Sequence, residues 1–260
     1  MTRTIFRTAA AIATAAIIGA VSVPASAYQI HFGEDLNRSA KTPLSAMPNA
    51  KAAEDRFLSS LTKVGTEDFD GFKNKQSGLL SLDFPGVGAA KLSGGNGSIV
   101  KVAKNKTNGF GRYGVSGRQF WEVQAGGRGN FTVSFESPVA AFGFYGIDIG
   151  DFGGQLVLQL NDAMNTRLTV DNTVGSWGST DGSALFYGVV AQTQTETFTA
   201  VTFETTTGQG DVFAFDNMTT GSLAQVIDPQ DPNAIQEPST LALLGVGAIG
   251  GLVTMGRRKS

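Results

Sequence analysis

Residues 131–154 read FTVSFESPVAAFGFYGIDIGDFGG, and this stretch decides the fold. Phe131, Val133 and Phe135 alternate with polar residues, and Phe142 and Phe144 repeat the two-residue spacing in the next run. Side chains two residues apart lie on the same face of a β-strand. The stretch therefore predicts two consecutive strands that bury one face, followed by a glycine-rich turn.

Similar short runs extend this pattern on both sides. They are rich in aromatic and β-branched residues, and glycine-rich turns separate them, as is typical of all-β domains. The predicted strands span 67–72, 79–84, 98–102, 119–123, 130–136, 140–147, 155–161, 167–170, 184–190, 198–204 and 212–219. Short strands in this number predict an all-β fold, a jelly-roll-like two-sheet sandwich. A short helix at 49–61, which Asn49 can cap, precedes them.

Composition and charge narrow the class of protein. The 260 residues include 34 glycines, 18 phenylalanines and no cysteine, so an apolar core rather than disulfide bonds must stabilise the domain. The 22 acidic and 20 basic residues include no Lys/Arg cluster, which argues against a nucleic-acid partner. Without the charged residues of the two termini, the body carries a net charge of about −6.

The N-terminus has the pattern of a secretory signal peptide over residues 1–27. Two arginines precede a small, apolar run at 9–23, and Ala25 and Ala27 form an A-x-A cleavage site that leaves Tyr28 as the first mature residue. A permanent membrane anchor is the alternative. The short apolar run, with no stop-transfer pattern after it, favours cleavage.

The C-terminus has three consecutive parts. They are a polar motif formed by Glu237, Pro238, Ser239 and Thr240, an apolar run at 241–255, and a basic end formed by Arg257, Arg258 and Lys259. As a helix, the uncharged residues 240–256 would be about 25 Å long, near the lower limit for crossing a membrane. The basic end would lie on the cytoplasmic side.

This tail resembles the PEP-CTERM sorting signal of Gram-negative bacteria, also labelled an ice-binding protein C-terminal domain. The order motif, helix and basic end is intact, although Ile235-Gln236 stands where the usual motif carries proline. The resemblance implies an exported protein that passes through the secretion machinery and is held briefly in the inner membrane. An exosortase would then recognise Glu237-Pro238 and remove the helix. The product would reside in the envelope, at the surface or in the extracellular matrix.

The predicted domain organisation follows from these segments. Residues 28–65 would be an N-terminal arm with the short helix, 66–222 the sandwich, 223–236 an extended linker, and 237–260 the sorting signal. Residues 67–222 resemble the β-sandwich body common in PEP-CTERM proteins, which is similar to carbohydrate-binding jelly rolls. That resemblance implies polysaccharide as a partner.

Two pairs of aspartates are candidate calcium ligands. Asp148 and Asp151 lie three residues apart in a glycine-rich turn, where carboxylate and backbone oxygens can point at one Ca²⁺ ion. The alternative is that both carboxylates accept hydrogen bonds from amides of their own turn. The resemblance to carbohydrate-binding jelly rolls implies a second structural calcium at Asp70 and Asp216. There the alternative is a solvated strand edge with an Asp-Asn turn.

Other motifs carry less chemistry. Trp177 lies in a polar glycine–serine loop and is the candidate for stacking on a sugar ring, whereas Trp121 lies in a strand and is expected in the core. The G-x-G-x-x-G match at 109–114 lacks the strand before it and the helix after it that a nucleotide site needs, so it is interpreted as a loop.

The sequence offers little for catalysis. His31 is the only histidine and falls in the predicted arm, and there is no cysteine. The carboxylates fall in turns or at strand edges, where burial is not expected to raise their pKa. The leading hypothesis is an exported, non-enzymatic surface or exopolysaccharide-matrix protein whose body binds carbohydrate. The alternatives are a glycan-degrading hydrolase on the same scaffold and an ice-binding or adhesion protein.

Overall fold

The computed structural model describes residues 28–176, 178–206 and 210–227. Two antiparallel sheets and one α-helix, α1, make up this part of the chain. The elements are β1 (Gln29–Asp35), α1 (Pro48–Ser59), β2 (Gly65–Glu67), β3 (Leu80–Phe84), β4 (Gly88–Gly94), β5 (Ser98–Lys101), β6 (Gln119–Gln124), β7 (Phe131–Val139), β8 (Ala141–Ile147), β9 (Leu156–Leu160), β10 (Arg167–Thr169), β11 (Ala184–Val190), β12 (Phe198–Thr205) and β13 (Val212–Gly221). The predicted all-β, two-sheet sandwich is confirmed.

The two sheets divide the strands between them. The large sheet has the order β1-β11-β8-β13-β6-β5, with β2 paired to β13, and the small sheet has the order β10-β9-β12-β7-β4-β3. Aromatic side chains from both sheets meet in the core, where Phe131 and Phe203 stack with ring centroids 4.3 Å apart and Phe215 packs edge-on against both. The alternation that predicted β7 is observed, since Phe131, Val133 and Phe135 are buried.

Helix α1 covers the outer face of the large sheet. Ala50, Ala53 and Phe57 are fully buried, and Phe57 lies over two glycines of the central strands. A Cβ added at Gly143 or Gly188 would lie 2.9 Å or 2.6 Å from the Phe57 ring, so only glycine permits this close approach. The helix explains why β8 and β11 are buried on both faces.

The predicted N-terminal arm is wrong for residues 29–35, because these residues form an edge strand of the large sheet. β1 pairs with β11 along its whole length, from Gln29 opposite Val190 to Asp35 opposite Ala184. Its helix-facing residues include His31 and Asp35, which are 5% and 8% exposed. A helix-facing side made of histidine, glycine and aspartate lacks the apolar alternation that marks a strand in sequence.

Asp35 takes the capping role predicted for Asn49. Its carboxylate accepts hydrogen bonds from the backbone N–H groups of Asn49 and Ala50, at 3.2 Å and 2.8 Å, at the start of α1. His31 packs edge-on against Phe57 with centroids 6.0 Å apart, instead of lying in a mobile arm. The sandwich therefore includes residues that were assigned to the arm.

Two strand predictions also differ from the structure. The strand predicted at 67–72 ends at Glu67, because the Glu67 and Asp68 side chains accept hydrogen bonds from the N–H groups of Phe69 and Asp70 and form a turn. β4 was not predicted. Its sequence, GAAKLSG, has low strand propensity, and pairing with β3 and β7 holds it in place.

Both ends of the described chain lie at one end of the sandwich. The Tyr28 hydroxyl contacts Asp162 and the Glu196 carbonyl, while the Ile227 N–H donates to the Ser60 carbonyl at the end of α1. The first residues of the predicted linker therefore pack on the body. No helix in the parts that the structure describes is long and apolar enough to span a membrane. The predicted signal peptide, Trp177 and the sorting signal lie outside the described residues.

Candidate cation site

Four aspartates gather at the opposite end of the sandwich. Asp148 and Asp151 follow β8, Asp181 precedes β11, and Asp211 precedes β13. These three strands are neighbours in the large sheet, so the loops that carry the aspartates meet. Carboxylate oxygens of Asp148, Asp151 and Asp181 lie within 4.8 Å of one another. The structure thus unites the predicted pair and adds two carboxylates that the sequence analysis missed.

Asp148 is held by two other loops. It has left-handed backbone geometry, with φ of 62°, and is 1% exposed. Its Oδ1 accepts a hydrogen bond from the Gly182 N–H at 2.8 Å, and its Oδ2 accepts one from Arg112 Nη1 at 2.7 Å. Gly111 must be glycine, because a Cβ there would lie 2.4 Å from Asp148 Oδ1. The carboxylate therefore fixes neighbouring loops together rather than bonding within its own turn.

Arg112 is the cation that contacts this group. Its Nε also contacts Glu122 Oε2 at 2.7 Å, so one guanidinium is shared between two carboxylates. The guanidinium lies 5.8 Å from the centroid of the Phe110 ring, which is 68% exposed. Arg112 therefore cannot neutralise the whole cluster.

Asp151 and Asp211 add two buried carboxyl groups to the cluster, for which Arg112 supplies only one positive charge. They are 2% and 1% exposed, and Asp211 Oδ1 is buried with no hydrogen bond of normal geometry among the described residues. Asp211 Oδ2 accepts from the Gly154 N–H at 3.2 Å. Burial raises the pKa of Asp151 well above its usual range, and the negative charge of Asp148 adds to this. Burial also raises the pKa of Asp211.

Burial raises the pKa of Asp148 to about 6, although the Gly182 hydrogen bond and Arg112 act in the opposite direction. The expectation that these carboxylates would keep ordinary pKa values is therefore wrong. That expectation assumed that the glycine-rich turn is exposed to solvent, whereas neighbouring loops cover it. A cluster of carboxylates with too few cations can hold a metal ion, and Asp148, Asp151 and Asp181 have the spacing for one.

Asp70 and Asp216 bind backbone N–H groups of one segment and are not part of the aspartate cluster. Asp70 Oδ1 accepts hydrogen bonds from the N–H groups of Arg118 and Gln119, both at 2.9 Å. Asp216 Oδ2 accepts one from Val115 at 2.7 Å, and burial raises the pKa of Asp216 well above its usual range. The two carboxylates hold opposite ends of one segment, 115–119. Among the described residues neither joins a group of three potential ligands, and the calcium predicted there stays a prediction.

Comparison with known proteins identifies the tail. Residues 237–259 match the PEP-CTERM protein-sorting motif, as the resemblance implied. Proteins with this motif are exported and sorted to the cell surface by an exosortase. No curated protein matches the chain.

Several solved structures share features of the fold. The K2 cleaved adhesin domain of Lys-gingipain is 10% identical, with 60% of this chain and 97% of that chain covered and a TM-score of 0.37. The CBM22-1 xylan-binding domain from Paenibacillus barcinonensis is 9% identical, with 60% and 93% covered and a TM-score of 0.33. A family 22 carbohydrate binding module from Clostridium thermocellum is 16% identical, with 63% and 94% covered and a TM-score of 0.35. Likenesses at this level transfer no ligand to this chain.

Proposed function

We propose that this chain, which carries the sorting motif at 237–259, is an exported, non-enzymatic protein of the cell surface or exopolysaccharide matrix. An exosortase processes it at Glu237-Pro238 after a stage in the inner membrane. The sandwich then binds polysaccharide, and calcium at the aspartate cluster stabilises its loops. The sorting motif is the observation that carries this proposal, because proteins with this motif are exported and sorted to the cell surface by an exosortase.

The positions of the two chain ends relative to the aspartate cluster are consistent with this proposal. The described chain begins and ends at one end of the sandwich, at Tyr28 and Ile227, and the aspartate cluster lies at the other. The strands between the two ends have about seven residues, so roughly 20 Å separates them. The chain therefore continues toward the sorting motif from the end of the sandwich that is opposite the cluster.

Charge balance supports calcium as the ion. Asp148, Asp151, Asp181 and Asp211 lie together, whereas the Arg112 guanidinium contacts only Asp148 among them and is shared with Glu122. Without an ion, a buried group of this kind must keep protons that it would otherwise lose at neutral pH. Ca²⁺ accepts six to eight oxygen ligands in flexible geometry, and it can take backbone carbonyls from glycine-rich loops.

A glycan-degrading hydrolase is the second candidate, and one observation favours it. Asp148 and Asp151 are close together and have raised pKa values, as a glycosidase needs for its acid. Their burial argues against it, because both are at most 2% exposed and a general acid must come within hydrogen-bond reach of its substrate. His31 lies under α1 and offers no alternative.

The deciding experiment uses the exopolysaccharide of the host. The full-length protein, purified in mild detergent, is incubated with it in millimolar calcium, and both sedimentation with the polysaccharide and release of reducing ends are measured. We expect co-sedimentation with no growth in reducing ends. Sustained release that is lost in Asp148→Asn would establish the hydrolase instead. Absence of co-sedimentation in both calcium and chelator would refute polysaccharide binding.

A further inference from the structure

A groove opens on the outside of the large sheet, beside the region that α1 covers. Its volume is about 540 Å³, within the range of roughly 300–1,000 Å³ that is usual for ligand sites. Three segments, 42–47, 102–106 and 113–117, form its walls. No aspartate or glutamate is among the described residues that line it, although the body as a whole is acidic.

The floor of the groove is apolar and firmly held. Leu44, Met47, Val102 and Val115 are half-buried and pack against the cluster beneath α1. Tyr113 is 4% exposed, and its hydroxyl donates a hydrogen bond to the Gly182 carbonyl at 3.1 Å. The half-buried apolar side chains of the floor suit the C–H faces of sugar rings, and the buried Tyr113 ring supports the floor from beneath.

The rim of the groove is basic. A tight turn carries Lys104 and Lys106, with Asn105 between them at φ of 58° and the Lys106 N–H donating to the Ala103 carbonyl at 3.0 Å. Both lysines are exposed, and neither lies within 4 Å of a carboxylate in the parts of the chain that the structure describes. The two lysines have no carboxylate partner, and they lie beside an apolar floor on a protein of net negative charge. This arrangement favours a ligand that is itself acidic.

We propose that this groove binds an acidic saccharide, a segment of polysaccharide that carries uronic acid carboxylates. The inference rests on the proposed polysaccharide binding and names the class of ligand and its site. The lysines pair with the carboxylates, and the floor contacts the ring faces. A neutral saccharide of the same length keeps the contact with the floor and loses the ion pairs with the lysines, so it binds more weakly.

The test compares two probes on the full-length protein by isothermal titration calorimetry. The probes are an oligogalacturonate and an uncharged galacto-oligosaccharide of equal length. The variant Lys104→Gln/Lys106→Gln removes the rim charges. The matched control, Lys73→Gln/Lys91→Gln, removes two exposed lysines outside the groove. Melting temperatures verify that all three proteins are folded.

We expect the unaltered protein and the control to prefer the oligogalacturonate, with an affinity that falls as salt rises. The groove variant should lose about tenfold in affinity for it, the effect of about 1.4 kcal/mol of charge-assisted contact. Equal affinity in the variant and the control would overturn the groove assignment. Equal binding of neutral and acidic probes by all three proteins would refute it too, and would leave polysaccharide binding intact. Failure of the unaltered protein to bind either probe or the host polysaccharide would refute the proposed function itself.

Discussion

Replacing Asp151 by asparagine is expected to abolish stabilisation by calcium without weakening the metal-free protein. Asp151 is 2% exposed, and its carboxylate lies within 4.8 Å of those of Asp148 and Asp181. Asparagine has nearly the same shape and no charge, so it removes a ligand oxygen of the proposed ion, and in the metal-free protein it replaces a carboxyl group that burial already keeps protonated. The metal-free variant should therefore be at least as stable as the metal-free parent.

The magnitude follows from mass action. An ion present at 100 times its dissociation constant stabilises the folded state by about 2.7 kcal/mol. For a body of roughly 200 residues, 1 kcal/mol shifts the melting temperature by about 2–4 °C, so calcium should raise it by roughly 5–11 °C in the parent. The Asp151→Asn variant should show little of this shift.

The dependence on pH has a definite sign. The pKa of Asp148 is about 6 in the folded protein and 3.8 in its reference state, so the folded state holds this proton more tightly. The contribution of Asp148 alone therefore lowers the stability of the metal-free protein by roughly 3 kcal/mol as pH rises from about 4 to above 6. Calcium needs the charged carboxylates, so the stabilisation it gives should grow over the same range.

The assay is differential scanning calorimetry of the full-length protein in excess chelator and in millimolar calcium. Asp83→Asn is the matched control, since Asp83 is exposed on β3, outside the cluster. It should keep the full shift. Identical melting in chelator and calcium for the parent, or an undiminished shift in Asp151→Asn, would refute the reasoning. A shift lost instead in Asp216→Asn would move the ion to Asp70 and Asp216.

Three other predictions concern the remaining parts of the chain. A protein lacking residues 28–65 should show no cooperative unfolding by circular dichroism, because β1 and α1 are missing; a normal transition would restore the arm interpretation. Phe57→Ala should cost about 3–5 kcal/mol in urea unfolding, whereas Leu79→Ala, at a side chain 66% exposed, should cost under 1. In cells with an exosortase, intact-mass spectrometry should find the major form without residues 241–255; retention of 257–260 would contradict processing.

Much of the fold could be predicted from sequence because strands that bury one face record it as a two-residue alternation. β7 is the plainest case, with Phe131, Val133 and Phe135 inward and polar residues outward. β1 was missed because the side that packs on α1 consists of His31, Gly33 and Asp35, which do not form an apolar alternation. These residues are shielded from solvent only because α1 lies over them. The helix itself was found from its own periodicity, but its contact with β1 is not a local property.

In the candidate site, too, some residues could be predicted from the sequence and others could not. Asp148 and Asp151 could be found because three residues in one turn bring them together whatever the topology. Asp181 and Asp211 reach them only through the strand order β11-β8-β13, in which strands distant in sequence become neighbours. The same order buries the turn and raises the pKa of Asp148 and Asp151, which a glycine-rich sequence suggested would be exposed. The cluster that could hold an ion therefore comes from the topology, and only two of its four aspartates lie together in one sequence motif.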